Sequence, residues 1–197
     1  RPPRSTLFPY TTLFRSRPSS REAILEAAEA IVIEEGASRM TLDAVAQKSG
    51  VSKGGLIYNF PTKEALLDGM LTRMFHRINE LRQTIRSEQP ADQPNELVVE
   101  IRTLQGKSRH TDQRLSAALL AAVANQPELL TPIRAQLSQR FACMIPPQGN
   151  FLWSAILFFA AFGIHFHDMM NVSLLDPRQK AELYDELCRL AAPDACP

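Results

Sequence analysis

The chain has 197 residues, of which 45% are hydrophobic and 22% charged, and its formal net charge is +1. This composition excludes a disordered chain, and the small net charge excludes a nucleic-acid binder that is basic throughout, so any positive surface must be local. The three cysteines, Cys143, Cys188 and Cys196, suit neither a disulfide framework nor a thiolate metal site and indicate a reducing compartment. We therefore expect a cytoplasmic protein without a metal or another cofactor.

The opening residues differ from the rest of the chain. Residues 1–16 hold several prolines and no helical period, and their string TLFPYTTLFRS resembles the translation of a common sequencing adapter. We interpret this segment as an artefactual or disordered leader that should be kept out of fold reasoning. The alternative is a natural arm whose Arg4, Arg15 and Arg17 reach into a DNA minor groove.

The remainder is predicted to be all-α, because no run of alternating apolar and polar residues is long enough for a strand. Ser19 and Glu22 have the spacing of a capping box, Gly50 separates two short helices, and Pro127 and Pro132 predict a kink or a delayed helix start. The predicted helices are Ser19–Gly36, Thr41–Ser49, Ser52–Tyr58, Lys63–Arg86, Glu96–Gln105, Asp112–Asn125, Glu128–Met144, Asn150–Met170 and Asp176–Ala192.

Positive charge without acidic residues is found in residues 44–63, which carry Lys48, Lys53 and Lys63. The two short helices around Gly50 have the helix-turn-helix arrangement, in which the second helix enters the DNA major groove. The apolar residues of these helices are expected to form core rather than DNA contacts. They are Leu42, Val45, Ala46, Val51, Leu56 and Ile57.

The segment from Thr41 to Leu66, TLDAVAQKSGVSKGGLIYNFPTKEAL, resembles the N-terminal domain of the TetR family of transcriptional regulators. The resemblance implies a three-helix DNA-binding domain in residues 17–62 and a helical ligand-binding and dimerisation domain in residues 63–197. It also implies a non-enzymatic repressor that binds a palindromic double-stranded DNA operator as a homodimer. A small hydrophobic effector is expected to release the repressor from DNA.

The first turn of the second short helix is the part that such motifs present to base edges. Here it consists of Ser52, Lys53, Gly54 and Gly55. The two glycines allow close backbone approach but supply no base-reading side chain, so Lys53 is left to reach a guanine or a phosphate. This tip is barer than in relatives with bulkier residues there.

Other residues of the motif match family positions that grip the DNA backbone. Thr41, Tyr58 and Lys63 match phosphate-binding positions, and Asn59 stands where the family often has His. The alternative interpretation takes Thr41 and Ser52 as helix caps alone, Tyr58 as a core aromatic residue and Lys63 as a solvated lysine. The predicted DNA-binding residues are Thr41, Ser52, Lys53, Gly54, Gly55, Tyr58, Asn59 and Lys63.

The most apolar run covers residues 151–164 and is shorter than the roughly 20 apolar residues that span a bilayer. We therefore expect a helix buried on several sides and no membrane association. The family resemblance implies that the last two helices pair with those of a second subunit in a four-helix bundle. Leu183, Leu187 and Leu190 would form the apolar stripe of the final helix.

Aromatic and methionine residues of the C-terminal half suit the walls of a pocket for a flat apolar ligand. The alternative is ordinary core packing. The predicted lining residues are Phe141, Met144, Trp153, Phe162, His165, Met169 and Met170.

Two other functions are alternatives to the repressor: an enzyme or metal sensor, and a sensor or interaction protein of the same fold. An enzyme or metal sensor would use His165, His167 and Asp168, but positions i and i+2 of a helix point about 200° apart, so the two histidines cannot share one ion. No glycine-rich phosphate loop or nucleophile with its base is found, so catalysis is not expected. The other rival is a sensor or interaction protein of the same fold with little specific DNA binding, which the bare recognition tip suggests.

Overall fold

The computed structural model describes residues 19–90, 95–106, 110–123, 127–145 and 150–192, and the predicted leader lies outside these ranges. Within them the backbone forms α-helices and one short 3-10 helix, Pro127–Leu130, with no strand, which confirms the all-α prediction. The helices are α1 Ser20–Glu35, α2 Leu42–Ser49, α3 Lys53–Asn59, α4 Lys63–Ser87, α5 Glu96–Gly106, α6 His110–Val123, α7 Thr131–Cys143, α8 Phe151–Met169 and α9 Pro177–Leu190.

Side-chain caps begin most of these helices where the sequence predicts them. The hydroxyls of Ser19, Thr41 and Ser52 each accept a hydrogen bond from the backbone N–H three residues later, at 3.1 to 3.3 Å. Such caps stabilise a helix by about 1 kcal/mol each. The carboxylate of Asp176 and the amide of Gln179 form a complete capping box at the start of α9. At the start of α7 the 3-10 turn gives the delayed helix start that Pro127 predicts.

The first hydrophobic core joins the two halves of the chain. Ile24, Leu25 and Met40 lie fully buried beside Leu66 and Met70 of α4. Leu115 and Leu119 of α6 belong to the same core, so the three helices of the motif are held against both α4 and α6. Because α4 also contacts α5, it links the motif mechanically to the rest of the chain.

The second core lies between α5, α8 and α9. Ile101, Leu157, Ala161 and Tyr184 are nearly inaccessible to solvent there, and Leu187 of α9 packs among them. The predicted dimer stripe of α9 is therefore wrong in part, because Leu187 is buried within its own chain. Its neighbours on the stripe differ: Leu183 is exposed and Leu190 is half-buried.

Helix α8 differs from its expectation in two ways. It has 19 residues with a mean hydropathy of 1.3, long and apolar enough to cross a membrane by length and composition. Leu157, Ala161 and Ile164 of this helix nevertheless belong to the second core. Its opposite face is uncovered, so the prediction of burial on several sides is wrong for the single chain. The exposed residues of that face are Phe151, Leu152, Ile156, Phe159, Phe162 and Phe166.

Candidate nucleic-acid interface

Helices α2 and α3 form the predicted helix-turn-helix. Gly50 ends α2 in the left-handed conformation, with φ at 69°, which a residue with a side chain rarely adopts. Val45 and Leu56 are fully buried against α1, so the two helices are fixed by their apolar faces. Ile57 was expected in this core, but 42% of it is exposed because it lies on the outer side of α3.

The tip of α3 contains two glycines that differ in their surroundings. A Cβ atom on Gly55 would lie 3.1 Å from Cγ1 of Val51, so packing favours the absence of a side chain there. A Cβ atom on Gly54 would meet no atom within 4 Å, and Gly54 has no positive φ. The fold therefore does not require a glycine at position 54.

Lys53 is the long side chain of the tip, and it is paired. Its Nζ lies 2.7 Å from Oδ1 of Asp43 in the first turn of α2. The hydroxyl of Ser52 is engaged by the backbone N–H of Gly55 as the helix cap. The sequence did not indicate Asp43, because it lies ten positions before Lys53 and on another helix, where no local periodic signal links the two.

The other residues predicted to contact DNA lie in the same region, but they differ in exposure and in the hydrogen bonds that they already make. Tyr58 is 90% exposed, which excludes the core alternative for it. Thr41 caps α2, and the side-chain amide of Asn59 donates to the carbonyl oxygen of Gly55 at 2.8 Å. Lys63 is half-buried and its Nζ donates to the carbonyl oxygen of Ala37 at 3.3 Å, so it is not a solvated lysine.

Acidic partners reduce the positive charge that the sequence concentrates in residues 44–63. Lys48 lies 2.5 Å from the carboxylate of Glu34 on α1, just as Lys53 lies beside Asp43. Both pairs are exposed, where an ion pair contributes little to folding stability. Instead, the two carboxylates lower the positive electrostatic potential of the surface that approaching DNA would meet.

An ion cluster holds α1 to α4 behind the motif. The buried carboxylate of Glu29 accepts a hydrogen bond from Arg77 and lies 3.8 Å from Nε of Arg73. Arg73 also contacts Glu22 and Glu26, at 3.5 and 3.4 Å. Ion pairs as well as apolar packing therefore hold α1 against α4, and α1 in turn supports the helix-turn-helix.

The residues predicted to line a pocket differ in burial, and Phe141, Met144 and Trp153 belong to or pack against the second core. Met144 is buried in the second core, and the indole N–H of Trp153 donates to the carbonyl oxygen of Leu190 at 3.1 Å. Phe141 packs edge-on against Phe158, with ring centroids 5.4 Å apart. The other four range from buried to exposed. His165 is buried, Met169 is half-buried, and Phe162 and Met170 are exposed.

Among the described residues of the C-terminal half, a pocket lies in a groove between α4 and the segment from the 3-10 helix to α7. Its volume is about 240 Å³. Leu71, Phe75 and Ile133 give it an apolar floor, and Asp68 and His76 supply polar groups. None of the seven residues predicted from the sequence lines it.

The two candidate metal-binding histidines lie on different sides of α8, as the helical spacing predicts. His165 is buried, whereas His167 is exposed and its Nδ1 lies 3.0 Å from the carbonyl oxygen of Gly163. Asp168 is buried and accepts a hydrogen bond from Lys180 at 2.6 Å. In the described part of the chain, no group of three or more His, Cys, Asp or Glu side chains could hold a metal ion.

Comparison with solved structures shows that the whole architecture is shared with known regulators. The transcriptional regulator SCO7518 from Streptomyces coelicolor A3(2) superposes with a TM-score of 0.67 at 20% identity, over 89% of this chain and 99% of that one. NalD, the secondary repressor of the MexAB-OprM multidrug efflux pump in Pseudomonas aeruginosa, superposes with a TM-score of 0.58 at 20% identity, over 86% and 94% of the two chains.

Sequence comparisons are consistent with this fold. The nucleoid occlusion factor SlmA of Aliivibrio fischeri is 34% identical over 70 residues, which are 33% of this chain and 36% of SlmA. The match thus spans about a third of that relative. Residues 24–70 match the family of bacterial regulatory proteins named after TetR, and residues 99–192 match the tetracyclin repressor-like C-terminal domain. Because these matches cover both halves, the chain belongs to the TetR family of DNA-binding transcriptional regulators.

Proposed function

We propose that this regulator is a ligand-responsive repressor, which binds a palindromic operator as a homodimer and is released by a small hydrophobic molecule. The observation that carries the proposal is the uncovered outer face of α3, where Tyr58 is 90% exposed while the residues behind it are buried. The repressor role named for the structural neighbour NalD supports the same direction of regulation.

Selection from random duplexes tests the DNA-binding part. Two motifs related by a two-fold axis require half-sites about 34 Å apart, so we expect the selected sites to be palindromic. The logarithm of the binding constant should fall steeply with the logarithm of salt concentration, because phosphate contacts release counterions. A flat salt dependence together with no enriched site would overturn the repressor proposal.

Contacts to the DNA backbone are proposed for Thr41, Tyr58 and Lys63. Tyr58→Phe and Lys63→Ala should weaken binding to all duplexes alike, since phosphate contacts carry no sequence information. Because Lys63 also donates to the Ala37 carbonyl, the thermal unfolding of that variant is measured in parallel. A changed consensus site in either variant would contradict a phosphate role.

Homodimerisation is proposed through the exposed face of α8, with Leu183 of α9 at its side. Phe151, Phe159 and Phe166 recur on one side of this helix, and the exposed large side chains there are 41% to 67% accessible. Contiguous apolar patches of this kind mark interaction surfaces. Phe159→Asp should convert the dimer to a monomer in sedimentation equilibrium. Leu137→Asp, an equally charged change at an exposed leucine of α7, should leave a dimer; dissociation by both variants would argue against this interface.

The effector is proposed to bind the C-terminal half, and a thermal-shift screen of small hydrophobic compounds should find ligands that raise the unfolding temperature. Ile133→Trp would fill the groove between α4 and α7, whereas Leu137→Trp changes an exposed position of α7. Loss of the shift in Ile133→Trp alone assigns the ligand to the groove. Loss in Phe141→Ala, with the shift kept in Ile133→Trp, assigns it to the aromatic residues predicted from the sequence.

A second candidate function is a TetR-fold sensor with little specific DNA binding. It is favoured by the bare tip of α3 and by the pairing of Lys53 with Asp43. Ligand-induced thermal shifts with no enriched duplex would support this function over the repressor.

A further inference from the structure

An exposed ion pair between Asp43 and Lys53 joins the first turn of α2 to the first turn of α3. The Lys53 side chain is 66% exposed and that of Asp43 is 74% exposed, so both charged groups face solvent. They belong to different helices, α2 and α3, which the buried side chains of Val45 and Leu56 hold in fixed relative positions. The pair is therefore a surface element with a defined spacing of 2.7 Å between donor and acceptor.

The surroundings of the pair offer little else that can read DNA bases. Ser52 is engaged as a helix cap, and Gly54 and Gly55 have no side chain. The open space around Gly54 leaves the backbone beside the pair accessible. Lys53 of the tip and the neighbouring Asp43 of α2 are thus exposed side chains with free hydrogen-bonding capacity toward an approaching base pair.

A cation beside a carboxylate complements a G·C base pair in the major groove. Guanine presents the acceptors O6 and N7 there, and its partner cytosine presents the N4 amino donor next to them. A lysine donates to guanine, and an aspartate accepts from cytosine. An A·T pair gives the ammonium group of lysine one purine acceptor, adenine N7, with the N6 amino donor beside it, whereas guanine offers the two adjacent acceptors N7 and O6.

We propose that Asp43 is a specificity-determining residue, which acts with Lys53 as a unit that reads one G·C base pair in each half-site. This inference rests on the proposed DNA-binding function. On other sequences Lys53 must leave Asp43 to reach a phosphate, and the carboxylate then lies uncompensated near the DNA backbone. Asp43 therefore lowers the affinity for arbitrary DNA more than the affinity for the operator.

The matched control is the second exposed pair of the motif, Glu34 with Lys48. Glu34→Ala removes the same charge as Asp43→Ala from the same half of the chain. Glu34 lies on α1, so it changes the overall potential without touching the tip of α3. A difference between the two variants reports the position of Asp43 and not the net charge alone.

The experiment is selection from random duplexes with the full-length wild type, Asp43→Ala, Glu34→Ala, Lys53→Ala and the Asp43→Ala/Lys53→Ala double variant. We expect Asp43→Ala to lose the preference for G·C at one position of each half-site and to bind random duplexes up to about fivefold more tightly, the upper end of what one exposed ion pair contributes. Lys53→Ala should lose the preference at the same position but bind random duplexes more weakly. The double variant should match the consensus of Lys53→Ala, and Glu34→Ala should keep the wild-type consensus.

The outcomes separate the inference from the function on which it rests. If the wild type enriches no duplex, the proposed function itself fails. If the wild type enriches a site and Asp43→Ala selects the same consensus, the inference is wrong while the function stands. Loss of preference at different positions in Asp43→Ala and Lys53→Ala also overturns the inference, because the two residues then do not act as a unit.

Discussion

The carboxylate of Glu29 on α1 accepts a hydrogen bond from the guanidinium group of Arg77 on α4, across the junction between the motif and the C-terminal half. Only 10% of the Glu29 side chain is exposed, and Arg73 lies on the same carboxylate at 3.8 Å. Both arginines therefore contact one buried acid, and Arg73 also contacts Glu22 and Glu26.

Replacement of Glu29 by Ala should lower the free energy of unfolding by about 2 kcal/mol, because it removes the buried carboxylate that Arg77 and Arg73 share and leaves Arg73 with the more exposed Glu22 and Glu26. Glu26→Ala is the control, since Glu26 meets Arg73 at an exposed site and should cost under about 0.5 kcal/mol. Urea unfolding followed by circular dichroism measures both. Equal losses in the two variants would show that burial of Glu29 adds nothing.

Replacement of Gly69 by Ala should destabilise the chain by about 1 to 3 kcal/mol through overpacking. The added Cβ atom would lie 2.6 Å from Cε1 of Phe60, whose buried ring has little room to move, and 3.3 Å from Cδ2 of Leu25. Leucine at position 60 leaves more room for the added methyl group. Gly69→Ala should therefore cost less stability in the Phe60→Leu background than in the wild type. An unchanged midpoint of urea unfolding in the single variant would contradict this close approach.

Replacement of Gly54 by Ala should have the opposite effect on folding. The helix gains about 0.5 to 1 kcal/mol, because alanine loses less backbone entropy and the new methyl group meets no atom within 4 Å. If the proposed DNA complex brings α3 close to the bases, the same methyl group should weaken operator binding at least about tenfold, or roughly 1.4 kcal/mol. Fluorescence anisotropy with a selected duplex measures the affinity; a stabilised variant with wild-type affinity would show that DNA does not approach Gly54.

Tyr184 should make the folded state sensitive to alkaline pH. Burial raises the pKa of its phenol well above the usual range, and the nearby carboxylate of Asp168 raises that pKa further. The neutral phenol is therefore preferred in the folded chain, whereas the unfolded chain ionises near pH 10. Stability is fully present below pH 10 and is lost as the pH rises above it, by roughly 1 kcal/mol over the next pH unit.

The measurement is urea unfolding between pH 8.5 and about 11, a range that spans the ordinary phenol pKa. Tyr184→Phe should flatten this part of the pH dependence. Tyr58→Phe, the same change at an exposed tyrosine, should leave the wild-type slope unaltered. A wild-type slope that persists in Tyr184→Phe would place its origin in other groups.

The sequence alone determined the local part of this protein. Caps such as Ser19, Thr41 and Ser52 lie three residues from the groups that they satisfy, so each helix start can be predicted without knowledge of the fold. The turn at Gly50 and the family resemblance of residues 41–66 are equally local, and they identified the DNA-binding motif and its exposed face.

Only the tertiary structure decided which distant residues meet. Glu29 and Arg77 are 48 residues apart, and the ring of Phe60, which lies between α3 and α4, closely approaches Gly69 of α4. Likewise, α8 has enough apolar residues for burial on all sides, but packing against α5 and α9 covers one side and leaves its phenylalanine face free. Helical periodicity records how residues repeat along one helix, whereas the pairing of Asp43 with Lys53 depends on how two helices are placed against each other.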